Sequence, residues 1–200
     1  MWLDALERRL LERILAPPPK LLFRERQLER ALELAAGGES FVVYGPIGTG
    51  KTTLALAAVR GLEGAAYVSA SARTYSALRS KLLKPAACYL IDDYTMAARD
   101  PRLRELVRSL KPKIVVVYPP VGAYEELEGL VRVEMPAYSL EELEEICRER
   151  AARLALAVDE EDVRAAARAG FEHGGNARIA LMVLAERAVA NLQRAAALRA

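Results

Sequence analysis

The chain has 200 residues, of which 52% are hydrophobic, and this length and composition suit one well-packed core with a small appended unit. Its 29 Lys and Arg residues are balanced by 27 Asp and Glu residues, so a net charge of +2 makes no electrostatic demand for nucleic acid or an anionic membrane, and any DNA contact is expected to be local. The single histidine, His173, argues against a histidine-based metal site, and Cys88 and Cys147 lack metal or redox spacing, which favours a reducing, cytoplasmic compartment.

The first predicted element is an amphipathic helix in residues 1–16. Trp2, Leu6, Leu10 and Ile14 recur every four residues while basic side chains take other faces, a pattern typical of a helix docked on a partner surface. Binding at a membrane surface is the alternative, since basic amphipathic helices can lie in a lipid interface. No stretch approaches the ~20 apolar residues of a membrane-spanning helix. We therefore favour a partner surface and expect no membrane association.

Short β-rich segments then alternate with helical ones as far as residue 138. Such alternation predicts an α/β domain in residues 17–138, with a five-stranded parallel sheet flanked by helices. The predicted strands are "SFVVY", "AAYVS", "CYLI", "KIVVVY" and "VRVEM"; the predicted helices are "RERQLERALELAA", one from Lys51, one near Ala72 to Leu83, one near Pro101 to Leu110 and a short helical turn near Ala123 to Leu130.

Residues 139–200 carry helical patterns alone, which predicts a small all-helical domain. Ser139 and Glu142 have the spacing of a capping box, and Asn176 is a good N-cap for the last helix. The chain is thus expected to comprise an N-terminal helix, an α/β domain and a helical domain.

The stretch "GPIGTGKT", residues 45–52, follows a predicted strand and precedes a predicted helix. Two glycines five positions apart followed by Lys51 and Thr52 form the full phosphate-loop (P-loop) pattern, in the strand–loop–helix context that supports it. The glycines allow backbone N–H groups to face an anion at a helix N-terminus. Lys51 would reach the β- and γ-phosphates of a nucleotide, and the Thr52 hydroxyl would bind Mg²⁺. The alternative is a glycine-rich turn without a ligand.

Two adjacent acids, Asp92 and Asp93, follow the apolar segment "CYLI". Ligands of parallel sheets lie beyond the carboxyl ends of the strands, so these acids and the P-loop are predicted to face one crevice. Asp92 would hold Mg²⁺ through water, and Asp93 would polarise the water that attacks the γ-phosphate. The alternative for each is a solvated turn residue, since aspartate is common in turns.

With these motifs the chain resembles AAA+ ATPases, in particular the archaeal origin-recognition and Cdc-type replication initiators, with clamp loaders as more distant relatives. The resemblance spans residues 19–198. It rests on five segments: "FRERQLERAL", "YGPIGTGKT", "LIDDY", "VRVEMPAYSLEELEEICRERA" and "GGNARIALMVLAERA". It implies that the helical domain is the lid of an AAA+ core, with Mg-ATP bound between core and lid.

The resemblance also implies roles for individual residues. Arg178 corresponds to the sensor-2 arginine, whose rigid guanidinium suits phosphate binding, and it joins Lys51 and Asp93 as a catalytic candidate. Phe23 and Arg24 lie where the family brings its N-terminal segment over adenine, although Phe23 could equally be a core aromatic residue. The predicted nucleotide-binding residues of the loop are Gly45, Pro46, Ile47, Gly48, Thr49, Gly50, Lys51, Thr52 and Thr53; Thr52 and Asp92 are the predicted metal residues.

Three features depart from the family's pattern. The family usually has Asp-Glu where this chain has Asp92 and Asp93, so the second acid is one methylene shorter. The fourth strand should end in a polar sensor-1 residue, but Tyr118 and two prolines stand there. No convincing arginine finger occurs, Arg132 being a weak candidate with Arg104 and Arg108 weaker still. A neighbouring subunit or a partner protein would therefore have to supply that arginine in trans.

The function expected from the sequence is Mg-dependent hydrolysis of ATP to ADP and phosphate, slow without a partner or oligomer, in DNA replication, repair or mobile-element maintenance. The initiators' winged-helix domain and helical insertion have no counterpart in the sequence, so direct DNA binding is expected to be weak. The alternative is a nucleotide-dependent switch that binds a protein partner with little turnover. A small-molecule kinase is disfavoured, because it would not explain the acidic pair followed by a lid-like segment.

Overall fold

The structure is a computed structural model that describes residues 2–71 and 74–198, with the backbone alone for residues 2–7. Its helices are α1 (Trp2–Leu15), α2 (Glu25–Ala36), α3 (Lys51–Val59), α4 (Tyr75–Leu82), α5 (Tyr94–Ala97), α6 (Pro101–Ser109), α7 (Leu140–Leu154), α8 (Glu160–Glu172) and α9 (Ala177–Ala197). Its strands are β1 (Phe41–Tyr44), β2 (Ala65–Ser69), β3 (Cys88–Asp92), β4 (Lys113–Val117) and β5 (Val131–Glu134). Within the described part of the chain, no helix has the length and apolar character needed to cross a membrane.

The chain divides into two compact units. The α/β unit comprises Arg24–Pro46 and Gly50–Pro136, and the helical unit comprises the described residues of Met1–Phe23, Ile47–Thr49 and Ala137–Ala200. The domain boundaries expected from the sequence, after residues 16 and 138, stay a prediction.

The α/β unit is built on a parallel sheet. Across the described residues its five strands run in the order β2-β3-β4-β1-β5, which confirms the predicted five-stranded parallel sheet flanked by helices. The strands β1 and β4 are rich in valine, whose branched side chain packs well on a sheet with both faces covered. Buried residues from strands and helices form its core: Val42, Val68, Leu78, Leu82, Ile91, Leu103, Val107, Val115, Val117 and Leu127.

The strand order brings together the loops at the carboxyl ends of the strands, where the candidate site lies. After β1 the chain forms β2, an outer strand of the sheet. It then returns through β3 to β4, which lies beside β1, and forms β5 on the other side of β1. Tyr44 at the end of β1 is in register with Val117 at the end of β4. Loops that follow these parallel strands therefore emerge at the same edge, which is where ligands bind in open α/β sheets.

The helical unit contains α1, α7, α8 and α9. Small residues such as Ala166, Ala167 and Ala180 are fully buried, which lets the backbones of α8 and α9 approach closely. Ile14 of α1 is completely buried in the same cluster, with Leu10 partly buried. The surface on which α1 was predicted to dock is therefore provided by this chain, at α7 and α9; the side chains of Trp2 and Leu6 lie outside the described residues.

Local signals fixed most helix ends as predicted. Ser139 and Glu142 form the predicted capping box, and the Asn176 side chain accepts the first N–H groups of α9. The helix expected near Ala72 to Leu83 is α4, and its predicted start lies outside the described residues. The turn expected near Ala123 to Leu130 is instead two single-turn 3₁₀ helices, because Tyr124 between them leaves the helical conformation; their bounds are Val121–Ala123 and Glu125–Leu127.

A buried arginine fastens α1 within the helical unit. Arg150 of α7 is 2% exposed, and its guanidinium donates hydrogen bonds to the carbonyls of Ile14 and Ala16, the second at 3.0 Å. These carbonyls lie at the C-terminal end of α1, where helix carbonyls lack intrahelical partners and attract positive charge.

We expect Arg150→Met to lower the free energy of unfolding by about 1–3 kcal/mol, because it removes buried hydrogen bonds and leaves carbonyls without their donor. Urea titration would measure the loss, and amide hydrogen exchange should report faster opening in α1. The control is Arg153→Met on the same helix. Arg153 makes a surface pair with Glu149 at 3.0 Å, worth about 0–1 kcal/mol. Equal effects of the two changes on stability and on α1 would contradict the anchoring role.

Candidate active site

The Lys51 side chain is turned back onto the P-loop. Gly50 precedes α3 with a left-handed backbone (φ 89°), and Lys51 is the first residue of the helix. Its Nζ atom donates hydrogen bonds to the carbonyl oxygens of Gly45, at 2.8 Å, and Pro46, at 2.6 Å. Burial lowers the pKa of Lys51 to about 8, although the charges of Asp92 and Asp93 oppose the shift. The ammonium is therefore held at the loop and has little contact with water.

The first glycine of the loop has no room for a side chain. Gly45 has φ 151°, and a Cβ atom there would lie 2.1 Å from the carbonyl oxygen of Met135, which directly follows β5. The backbone at the end of β1 thus passes close to the end of the neighbouring strand, since Met135 also donates its N–H to the carbonyl of Tyr44 at 2.8 Å. The glycine that the motif requires is here also required by the packing of the sheet.

The two residues predicted to bind metal are in contact. The Thr52 hydroxyl donates to one oxygen of Asp92 at 3.0 Å, and the Tyr67 hydroxyl of β2 donates to the other oxygen at 3.2 Å. Asp92 is 4% exposed. Burial raises the pKa of its carboxyl above the ordinary value, an effect that the hydrogen bond from Thr52 opposes. Both oxygens of the carboxylate are therefore fixed in direction.

This donor set suits a magnesium–nucleotide complex. A hydroxyl and a carboxylate are hard oxygen donors, and Mg²⁺ is typically held by one or two protein groups together with phosphates and waters. Among the described residues no cluster of three or more His, Cys, Asp or Glu side chains could hold a metal ion unaided. Thr52 and Asp92 are the residues that would hold Mg²⁺, and Lys51 is the residue that would hold phosphate. Both roles stay predictions.

The second acid has a different environment from the first. Asp93 is half-buried and has a left-handed backbone (φ 54°, ψ 32°) that turns the chain directly into α5. Aspartate is one of the few non-glycine residues that tolerate this conformation. Asp93 therefore lies in a turn of the backbone, as in the alternative interpretation. Its role in activating the attacking water stays a prediction.

The tip of the P-loop, residues 47–49, belongs to the helical unit. The N–H of Ala177 donates to the carbonyl of Gly48 at 3.3 Å, and a Cβ atom on Gly48 would lie 1.8 Å from the Oδ1 atom of Asn176. Ile47 is 55% exposed and Thr49 is fully buried. The cap of α9 therefore packs directly on the loop tip, a contact for which only glycine leaves space.

The other residues predicted to bind nucleotide lie in both units of the chain. Arg178 is the second residue of α9 in the helical unit, and its N–H is bound by Asn176. Arg24 is 2% exposed and donates to the carbonyl of Pro136 at 2.7 Å, which fixes the start of α2 against the end of β5. Phe23 is 38% exposed with φ 60°. Thr53 is half-buried in α3. The predicted contacts of these residues with nucleotide stay predictions.

The candidate arginine fingers differ in how they are held. Arg104 donates to the buried carboxylate of Glu126 at 2.9 Å, and Glu126 also accepts the Tyr94 hydroxyl. Arg108 pairs with Glu105 on the surface of α6 at 3.4 Å. Arg132 is exposed on β5. Arg104 is thus bound inside its own α/β unit, which makes it the least suited of the three to act on a neighbouring molecule.

Three residues at this site were missed by the sequence analysis. Tyr67 contacts Asp92, Tyr118 lies under the Lys51 ammonium at 4.3 Å, and Asn176 packs on Gly48. Asn176 was identified as a cap, and Tyr118 as a departure from the family, without these contacts. The signal for Tyr67 was a tyrosine in the strand predicted next to the Asp92 strand, but its position across the sheet depends on register, which the sequence leaves open.

We expect Tyr67→Phe to weaken Mg²⁺ binding in the presence of nucleotide roughly tenfold, near the lower end of the effect of losing an outer partner of a metal ligand. The effect should be modest because Tyr67 is 47% exposed, so water can replace its hydroxyl. Titration of bound Mn²⁺ by electron paramagnetic resonance would measure it directly.

Tyr89→Phe is the matched control, since the Tyr89 hydroxyl donates to the carbonyl of Lys84 at 2.9 Å on the same sheet. The idea that Tyr67 orients Asp92 is untenable if both variants bind Mn²⁺ as tightly as the unchanged protein.

Solved structures with a similar fold include the RuvB Holliday junction branch migration motor of Thermotoga maritima. It is 22% identical to this chain with a TM-score of 0.63, and the match covers 80% of this chain and 59% of RuvB. Two variant structures of the same RuvB are 20% and 16% identical, with TM-scores of 0.60 and 0.57 and the same coverage. The chain therefore spans less than two thirds of the length of these proteins, and the likeness concerns the fold.

No curated protein matches the sequence. A family model described as the AAA ATPase domain matches residues 20–197, which include the P-loop, both acids and all the helices from α2 to α9. The chain belongs to the AAA ATPase domain family.

Proposed function

We propose that this chain binds Mg-ATP and hydrolyses it to ADP and phosphate. The observation that carries the proposal is the 3.0 Å contact between the Thr52 hydroxyl and the Asp92 carboxylate, beside a P-loop lysine that is already in place. The P-loop and the acidic strand end are far apart in sequence, so their contact supports a preassembled phosphate and metal site. Membership of the AAA ATPase family supports nucleotide as its ligand.

Each residue has a proposed task. Lys51 binds the β- and γ-phosphates, Thr52 and Asp92 hold Mg²⁺, and the bound ion neutralises the charge that develops on the phosphates. Asp93 accepts a hydrogen bond from the attacking water and orients it. Arg178 contributes a guanidinium to the phosphates, and an arginine from a second copy or a partner protein completes the charge stabilisation. Without that arginine, turnover is slow.

We further propose that the activity serves DNA replication, repair or mobile-element maintenance. Two likenesses support this: the resemblance of the sequence to replication initiators of the archaeal origin-recognition and Cdc type, and the likeness in fold to RuvB, which is described as a branch migration motor. A net charge of +2 favours DNA contact that is local or made through a partner.

The second candidate is a nucleotide-dependent switch with little turnover. Two observations favour it. The strand end where the family carries a polar residue holds Tyr118, and its ring contacts Lys51. The catalytic candidate Asp93 is one methylene shorter than the family's glutamate. In this alternative, ATP occupancy changes the affinity for a protein partner through differential binding to two states.

We expect Lys51→Ala and Asp93→Asn each to reduce ATP turnover about 100-fold or more, because the first removes a phosphate ligand and the second removes a carboxylate that orients water. Asparagine is chosen at position 93 because it tolerates the left-handed backbone there. Phosphate release with and without DNA would measure turnover. Glu105→Gln, an exposed carboxylate change on α6, is the matched control and should turn over ATP normally.

Lys51→Ala should also weaken nucleotide binding, whereas Asp93→Asn should leave it intact. Tight ATP binding without any turnover that depends on Asp93 would reject the hydrolase and favour the switch. Gel shifts with single- and double-stranded DNA, in the presence of ATP, would separate direct DNA binding from a role that needs a partner.

A further inference from the structure

The Lys51 ammonium makes three contacts within the α/β unit. Two of its hydrogen bonds go to the carbonyls of Gly45 and Pro46, and Nζ lies 4.3 Å from the centroid of the Tyr118 ring. This distance is within the range of a cation–π contact, which strengthens when water is excluded. Lys51 is 6% exposed. A phosphate oxygen that approaches the ammonium would therefore compete with these three contacts.

The Tyr118 ring is held in place by the segment that follows the two acids. Tyr118 comes directly after β4, and its N–H donates to the Thr95 hydroxyl at 2.9 Å. The Tyr124 hydroxyl also donates to Thr95, at 3.0 Å. Since β4 pairs with β1 in parallel register, the residue after β4 is fixed beside the loop that follows β1. The backbone thus places the Tyr118 side chain beside Lys51.

We propose that Tyr118 is a positioning residue that holds Lys51 against the P-loop carbonyls and competes with the phosphates for its ammonium. The contact with the ring is the one most readily exchanged, because a charged phosphate oxygen is a stronger partner for an ammonium than an aromatic face. A ligand is therefore expected to displace the Tyr118 ring from Lys51 only if its negative charge attracts the ammonium more strongly than the ring does. The competition with phosphate rests on the proposed nucleotide binding. The contact between the Tyr118 ring and the Lys51 ammonium, which we call the resting contact, does not.

The resting contact is tested without nucleotide. Lysine labelled with ¹³C at Cε gives a resonance for Lys51 that can be assigned by its loss in Lys51→Arg. In the unchanged protein and in Tyr118→Phe, the ring current should move the attached protons upfield. In Tyr118→Leu, which keeps apolar bulk but removes the ring, they should return to the position of exposed lysines. An unchanged Lys51 resonance in Tyr118→Leu would overturn the proposal.

The competition is tested by nucleotide affinity. Tyr118→Leu should bind ATP about twofold to thirtyfold more tightly, the range of one partly desolvated cation–π contact, while Tyr118→Phe should bind as the unchanged protein does. Replacing Tyr118 with phenylalanines of increasing fluorine content should tighten binding stepwise, because fluorine weakens the negative face of the ring without changing its shape. A purely structural role would not produce that gradient, and weaker or equal binding in Tyr118→Leu would overturn the competition.

Failure of the proposed function has a different signature. If the unchanged protein binds no ATP and Lys51→Ala makes no difference, the nucleotide site is rejected and the competition falls with it. The Lys51 resonance then decides the resting contact, which is supported if the resonance follows the ring and overturned if it does not.

Discussion

Strand β1 pairs with β4 on one side and with β5 on the other, and the geometry of the candidate site is set from this central strand. Its end must pass close to the end of β5, which only Gly45 allows, and the chain then curls into the P-loop. The register with β4 fixes Tyr118 beside that loop, and β3, on the far side of β4, ends at Asp92. Parallel pairing thus turns three distant segments into neighbours at one sheet edge.

The charged groups of Lys51 and Asp92 are each held by contacts within the protein. Burial disfavours the charged forms of both Lys51 and Asp92, lowering the pKa of the first and raising that of the second, although each has polar partners. A phosphate and a divalent cation would supply the opposite charges to an ammonium and a carboxylate that water reaches poorly. Such preorganised polar groups in a dry site interact more strongly with a ligand than they would in bulk water. The cost of holding them there is met by hydrogen bonds to backbone carbonyls, Thr52 and Tyr67.

The parts of this fold that sequence predicted well are those with strong local signals. The parallel sheet followed from β-branched runs alternating with helices, and the P-loop followed from residues 45–52 and their context. Caps at Ser139 and Asn176 depend on neighbours three residues away and were also predictable. The contacts of Tyr67 and Tyr118 could not be found in this way, because they join residues 25 or more positions apart and require the strand order and register of the sheet. The docking surface of α1 on α7 and α9 was missed for the same reason: amphipathicity indicates that a helix is covered, but not by which surface.

The helical unit joins the beginning of the chain to its end. Ile14 of α1 is buried in one cluster with residues of α7, α8 and α9, and Arg150 of α7 donates hydrogen bonds to carbonyls at the end of α1. During synthesis α1 leaves the ribosome before the helices that cover it. Its apolar face therefore stays uncovered until α9 has emerged, whereas the contiguous stretch 50–136 can begin to pack earlier. The order of synthesis thus leaves this apolar face exposed, and prone to aggregation, until the helices that cover it have been made.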